Sequence, residues 1–254
     1  MPPLDSITPV ILTYNEAPNI ARTLDRLEWA ERIVIVDSGS DDGTEEIVRS
    51  HARTELIERE FDAFACQWNY GLDRVDTEWT LALDADYLVP DDAVDEIASV
   101  PNETEHSGFF VEFDYVVLGR RLSRHLYPPR QVLFRTAEAR FTDDGHRQRV
   151  RVSGPTGRLN ARFRHDDRKP LDRWLRNQTD YARSEVEKLI TTPWSELSLA
   201  DRLRRTRVLG PPAVLVYCLL GKGLVLDGWP GWYYALERTV AEAVISLTLL
   251  RTDE

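Results

Sequence analysis

RIVIVDSGSDDGT, residues 32–44, decides the fold. It opens as a short apolar, β-branched run of the kind buried on both faces of a parallel sheet. The run ends in a carboxylate, Asp37, and a Ser/Gly/Asp-rich loop leads into the helical pattern of residues 44–51. Upstream, ITPVILTY (7–14) reads as another buried strand. Downstream, TELIER (54–59) reads as a weaker strand, and EWTLALDAD (78–86) as one that ends in acids. Residues 17–30 place Ile20, Leu24 and Leu27 on one helical face, and residues 63–75 do the same with Phe64, Trp68, Leu72 and Val75. Asp91 and Asp92 supply negative charge where a helix over 93–100 begins.

Strands alternating with short helices predict a Rossmann-like α/β fold, a mainly parallel sheet flanked by helices. Ligands of such sheets bind beyond the carboxyl ends of the strands. Three polar clusters leave those ends: Thr13-Tyr14-Asn15-Glu16, Asp37-Ser38-Gly39-Ser40 and Asp84-Ala85-Asp86. The fold therefore requires all three to meet on one edge.

Residues 107–165 change character. GFFVEFDYVVLG (108–119), QVLFR (131–135), RQRVRV (147–152) and GRLNARFRH (157–165) read as strands joined by Gly, Pro and Asp turns, an antiparallel extension that makes the sheet mixed. Beyond residue 170 the pattern is helical, over about 170–190, 196–208, 213–222 and 231–250, a helical C-terminal extension.

Residues 1–100 carry 23 acidic and 7 basic side chains, residues 101–254 carry 20 and 25, and the whole chain has a net charge of −11. Such an acidic chain has no general reason to bind nucleic acid. The acidic half suits a divalent metal, and the Arg-rich half suits phosphates or acidic lipid. Cys66 and Cys218 stand far apart without a CxxC partner, which predicts two buried, reduced thiols in a cytoplasmic protein. The first residues do not read as a signal peptide, and no apolar window approaches the length of a membrane-spanning helix.

Two motifs carry chemistry. In LALDADYLVP (81–90), two carboxylates one residue apart leave a buried strand toward the same side. Mg²⁺ and Mn²⁺ prefer such oxygen ligands and keep positions open for phosphate oxygens. An acid cluster that merely caps the next helix would look the same. In the Asp37 loop, a strand-end carboxylate can accept hydrogen bonds from a base or ribose, and the loop around Ser40 offers N–H groups to polar ligand atoms. The loop lacks both the Walker ending and the GxGxxG fingerprint. An Asx-turn and helix cap built by Asp41, Asp42 and Thr44 is the plainer alternative.

VILTYNEAPNIARTLDRLEWAERIVIVDSGSDDGT (10–44), taken together with LALDADYLVP, resembles the family 2 glycosyltransferases of GT-A fold. Within them it is most similar to the group containing lipopolysaccharide-core β-1,4-glucosyltransferases. The resemblance is strong over about 6–100 and weaker over 130–250, in DDGHRQRVRVSGPTGRLNARFRHDDRKPL (143–171) and LDGWPGWYYAL (226–236). It implies a GT-A catalytic domain over 1–168, with a nucleotide-binding part (1–100) and an acceptor-side part (101–168), followed by a helical region over 169–254.

The resemblance also implies roles. Thr13, Asn15, Glu16 and Ser40 would line the nucleotide pocket, and Asp37 would read the uracil and ribose. Asn69, in FACQWNYGLDR (64–74), matches a position near the nucleotide or donor sugar, although Gln67 and Trp68 stand where relatives carry Arg nearby. Asp84 and Ala85 would meet the ribose or metal, and Asp86 would coordinate Mn²⁺ or Mg²⁺. Members of the family usually invert the anomeric carbon with a carboxylate base. Here FTDDGHRQRV (141–150) keeps His146 but replaces the following acid with Arg147, which leaves Asp144, then Asp143, as candidate base. His165, set in HDDRKP (165–170), is a further metal candidate beside Asp166 and Asp167. Arg130 and Arg149 are candidates for anion contact.

The expected donor is a nucleoside-diphosphate sugar, a UDP-sugar, and the expected acceptor a hydroxyl on a glycan or glycolipid. Arg202, Arg204, Arg205 and Arg207 precede an apolar run and the aromatics Trp229, Trp232, Tyr233 and Tyr234. This pattern over 202–234 suits peripheral contact with the cytoplasmic face of a membrane, or equally a helical cap on the catalytic domain. Rival readings are transfer to a polyprenyl phosphate, nucleotidyl transfer, and a non-catalytic sugar-nucleotide-binding protein.

Overall fold

The computed structural model describes residues 4–100, 104–144 and 147–252, without the side chains of residues 143, 144, 147 and 148. The chain forms two compact units, Met1–Asp114 with Tyr127–Arg168, and Tyr115–Leu126 with Lys169–Glu254.

The first unit begins with β1 (Ile7–Thr13), α1 (Ile20–Asp25), β2 (Ile33–Asp37), α2 (Thr44–Ser50), β3 (Thr54–Glu58), α3 (Phe64–Leu72), β4 (Trp79–Asp84), β5 (Tyr87–Leu88) and α4 (Asp91–Ser99). It is followed by β6 (Gly108–Val117), which runs on into the second unit and pairs there with β7 (Arg120–Arg121). The first unit resumes with β8 (Arg130–Arg135), β9 (Ala139–Asp144), β10 (Arg147–Val152) and β11 (Thr156–His165). Among the described residues the main sheet runs β3-β2-β1-β4-β8-β6-β11-β5, with β7 beside β6. The pairs β3/β2, β2/β1 and β1/β4 are parallel, and β4/β8, β8/β6 and β11/β5 antiparallel.

Strand alternation builds both faces of the core. Ile33 and Ile35 point to one side, with Ile7, Ile11, Leu81 and Leu83, where Ile20, Leu24 and Leu27, Val48 of α2 and Ile97 of α4 cover them. Val34 and Val36 point to the other, with Val10 and Ala82, under Ala65, Trp68 and Leu72 of α3. All five residues of β2 are buried. Each buried aliphatic side chain contributes about 1.5–3 kcal/mol, so the four aliphatic residues of β2 hold the sheet to the helices on both of its faces.

Two expectations need correction. RQRVRV does not join the main sheet: β10 pairs with β9, a strand the sequence reading missed, in a separate two-stranded ribbon. Phe141 of β9 stacks on Trp68 at 4.8 Å, and Val150 and Val152 of β10 pack against the same cluster. The ribbon's apolar residues are thus satisfied on α3 instead of at a sheet edge. Cys66 is exposed, while Cys218 is buried, and both are free thiols. On α3, Ala65, Trp68 and Leu72 face the sheet, which turns residue 66 outward.

The second unit contains α5 (Leu171–Thr191), α6 (Leu199–Arg205), α7 (Gly210–Val216) and α8 (Trp229–Arg251), with a π-helical turn at Tyr217–Gly221. Ser198 caps α6 by accepting from Asp201 N at 3.1 Å. Prolines sit in the first turns of α7 and α8, where their missing N–H costs nothing. Arg204 ties three elements together through Glu242 (2.7 Å), Asp201 (2.9 Å) and Glu185 (3.2 Å). No helix among the described residues is long and apolar enough to cross a membrane.

Close packing of α3 on the sheet depends on Gly71. A Cβ there would stand 2.8 Å from Val10 Cγ1 and 3.3 Å from Val36 Cγ2. Gly71→Val should therefore lower the unfolding free energy by about 2–3 kcal/mol, the cost of overpacking a filled core. Urea unfolding checks this, and a variant as stable as the parent would contradict the packing described.

Candidate functional site

Parallel register brings the strand ends level. Thr13 pairs with Asp37, and Leu12 with Asp84. The three polar clusters leaving β1, β2 and β4 therefore share one rim, as the topology requires.

Asp37 organises that rim. It is fully buried, and its Oδ2 accepts from Thr13 Oγ1 at 2.7 Å and Ser40 Oγ at 2.6 Å. Its Oδ1 accepts from the backbone N–H of Gly39 at 2.9 Å and of Ser40 at 2.7 Å. Charge-assisted bonds of this kind are the strong ones, and they compensate a carboxylate removed from water. Direct contact from Asp37 to a base or ribose requires one of these donors to give way.

The β1 loop is stitched to the same turn. Asn15 adopts φ 56, a left-handed conformation that Asn tolerates better than most residues. Its N–H donates to Ser40 Oγ at 2.7 Å, and its Oδ1 accepts from Asp41 N at 2.7 Å. Glu16 N donates to Thr44 Oγ1 at 2.7 Å, and Ala17 N to Asp42 Oδ2 at 3.2 Å. Asp42 in turn accepts from Thr44 N at 3.1 Å, so the Asx-turn reading holds for Asp42 and Thr44. Tyr14 is exposed beside this stitching.

A second cluster lies at the end of β4. Asp84 is half-buried, and Ala85 and Asp86 are buried. Thr23 Oγ1 donates to the Ala85 carbonyl at 2.7 Å, and Asp166 N to the Asp86 carbonyl at 3.1 Å, which fixes the backbone of the acidic pair. His165, opposite Tyr87 in the β11/β5 pair, puts Nε2 at 3.9 Å from Asp86 Oδ2, beyond hydrogen-bond reach.

Arg130 begins β8, and the antiparallel register that sets Leu81 opposite Leu133 carries it toward the end of β4. Its guanidinium lies 5.4 Å from the Tyr127 ring centroid. Burial opposes its charge, but a hydrogen bond to the neutral Tyr127 hydroxyl and the nearby Asp84 carboxylate favour it, and the guanidinium stays cationic. The hydroxyls of Tyr127 and Tyr87 hydrogen-bond to each other. Burial, reinforced by the Asp84 charge, holds both phenols above their ordinary value, so they act as neutral groups.

Neither tyrosine was picked out in the sequence. Asn19 and Arg22 were missed as well, although three-residue spacing sets them on one face of α1. Arg22 pairs with Asp166 at 2.6 Å, and Asn19 donates to Asp167 Oδ1 at 2.9 Å. Arg168 also pairs with Asp166, at 3.0 Å.

Other candidates lie elsewhere. Asn69 pairs both amide atoms with the backbone of Phe141, donating from Nδ2 at 3.0 Å and accepting at 2.9 Å, which makes it a clamp between α3 and β9. Asp143 and Asp144 end β9, opposite Gln148 and Arg147. Their side chains, and His146 altogether, lie outside the described residues. Arg149 is exposed on β10, opposite Thr142, in the two-stranded ribbon and not in the main sheet.

Among the described residues no three His, Cys, Asp or Glu side chains converge as a closed metal cage. A cleft of ≈ 520 Å³ lined by Leu72, Asp76, Glu78, Arg135 and Arg140 opens where the chain enters β4, at the amino end of that strand. The charged and polar groups suited to chemistry gather at the carboxyl end.

The model of the family described as Glycosyl transferase family 2 matches residues 8–165. Among solved structures, S. aureus TarS 1-349 is similar with a TM-score of 0.51 at 14% identity, over 98% of this chain and 92% of that one. The same S. aureus protein in complex with UDP-GlcNAc gives a TM-score of 0.51 at 13% identity, over 98% of this chain and 92% of that one. In complex with UDP it gives 0.51 at 12% identity, again over 98% and 92%. These identities speak to the fold alone. The matched family span takes in β1 through β11 and every strand-end cluster at the rim: the chain belongs to glycosyl transferase family 2 and is a glycosyltransferase of the GT-A fold.

Proposed function

We propose that this glycosyltransferase moves a sugar from a UDP-sugar to a hydroxyl of a glycan or glycolipid acceptor, with inversion and with Mn²⁺ or Mg²⁺. The observation that carries this reading is the convergence of the Thr13, Asp37 and Asp84–Asp86 ends on one rim. TarS, similar in fold, was crystallised with UDP-GlcNAc and with UDP. Asn15, Glu16 and Ser40 would bound the nucleotide pocket that Asp37 shapes, and the exposed ring of Tyr14 would offer a stacking face to the base. Asp86, with Asp84 and His165, would hold the metal, which supplies charge neutralisation to the departing diphosphate. Arg130 would add a fixed cation beside it. Asp144, or Asp143, would take the acceptor's proton as its oxygen attacks the anomeric carbon and UDP leaves. The acceptor fits a lipid-linked glycan, such as a lipopolysaccharide core, at the cytoplasmic face of a membrane.

UDP with Mn²⁺ should raise the melting temperature by about 5–10 °C at a hundredfold excess over Kd, by mass action on the native state. Asp86→Asn should remove the Mn²⁺-dependent part of that shift. A panel of nucleotide sugars that leaves the wild-type melting point unmoved, with and without metal, contradicts the reading. Asp144→Asn should lower turnover by about 10²–10⁴-fold, the usual contribution of a general base, with UDP affinity unchanged. Steady-state kinetics beside calorimetry checks it. Full activity in both Asp144→Asn and Asp143→Asn would assign the reaction to an acceptor that is already anionic, such as a polyprenyl phosphate.

A further inference from the structure

The second unit differs from the first in both charge and surface. It carries 15 Lys and Arg against 11 Asp and Glu, while the first unit carries 17 against 32. Between Val208 and Trp232 the sequence holds only two charged residues, Lys222 and Asp227. Along this stretch Cys218, Leu219 and Leu224 turn inward, into a cluster with Tyr234, Ala235, Val117 and Leu122. Their neighbours turn outward: Leu220 is 71% exposed, Leu226 87% and Trp229 82%.

The inward cluster also seats the β6–β7 hairpin, so the hairpin and the turn before α8 adjoin. Ser123 N and Oγ both donate to Asp227 Oδ2 at 2.9 Å, and Leu126 N donates to the Tyr234 hydroxyl at 2.9 Å. Asp227 is thereby turned toward the hairpin. At the hairpin tip Leu118 is 66% exposed, and Arg120, Arg121 and Arg124 are exposed around it.

The arginines that the sequence offered to a membrane are engaged elsewhere. Arg204 pairs with Glu242, Asp201 and Glu185, and Arg202 and Arg205 donate to the carbonyls of Trp194 and Thr192. Arg120, Arg121 and Arg124 of the hairpin, far upstream in sequence, are exposed beside the apolar turn that Ser123 joins through Asp227.

We propose that Leu118, Leu220, Leu226 and Trp229, flanked by Arg120, Arg121, Arg124 and Lys222, dock this protein on an anionic lipid bilayer. Apolar side chains enter the boundary between headgroups and acyl chains, indole sits at headgroup depth, and the cations meet lipid phosphates. Charge selects this occupant over a second copy of the chain. A two-fold contact through this surface would set its cations against their own copies. The proposal extends the reading of a glycolipid acceptor and rests on it for its biological sense, but vesicle binding needs no catalysis.

The test is flotation of the full chain with phosphatidylcholine vesicles, with and without phosphatidylglycerol. Wild type should float with the anionic vesicles only, and high salt should release it. Combined Arg120→Gln, Arg121→Gln and Arg124→Gln should weaken binding by about a hundredfold, roughly fivefold per cation. Leu226→Ser with Trp229→Ser should abolish flotation and retain the wild-type circular dichroism and the UDP-induced melting shift. Wild type that ignores anionic vesicles, or binds both kinds equally, overturns the proposal. So does a Leu226→Ser/Trp229→Ser variant that floats like wild type, or one that only converts a dimer to monomer in sedimentation. Vesicle binding without any UDP shift leaves this proposal standing and removes the donor reading, and the reverse result does the opposite.

Discussion

One buried carboxylate joins the first two strands at the place where the site must form. Asp37 has no exposure to solvent, and four donors from Thr13, Gly39 and Ser40 fill its oxygens. Removing one such partner from a buried charge costs several kcal/mol, because the charge cannot return to water. The rim is therefore rigid for an electrostatic reason. Asn15 and Glu16 then bond to the turn that Asp37 has already fixed.

The acidic pair after β4 is held differently. Its backbone is tied by Thr23 on one side and Asp166 on the other, and its side chains are left to the neighbourhood of Arg130, His165 and two neutral tyrosines. The carboxylates are thus anchored through their backbone beside the Arg130 cation. The β9–β10 ribbon is fixed to α3 through Asn69 and Trp68, so that helix sets where β9 lies in the first unit.

The sheet was legible because β2 is short, β-branched and apolar at every position before Asp37, the pattern of a strand buried on both faces. Convergence of the strand ends followed from topology alone. What the sequence hid were contacts made across long separations. Asn69 looked like a ligand contact, yet it clamps Phe141, and nothing local marks the pairing. Strand β9 was masked by the turn-forming Asp-Asp-Gly that ends it. Tyr127 and Arg130 flank two prolines in a segment with no periodicity, so their approach to Asp84 is a product of the β4/β8 pairing. In 202–207 the charge run shows its sign but not its partners, which are Glu242 for Arg204 and backbone carbonyls for Arg202 and Arg205.

Amide hydrogen exchange with and without UDP and Mn²⁺ reads all three strand ends in one experiment. Added protection is expected at Asn15, at Gly39 to Ser40 and at Ala85 to Asp86, together and saturating at one nucleotide concentration. Protection confined to the cleft between Leu72 and Arg140, with the three strand ends unchanged, would contradict it.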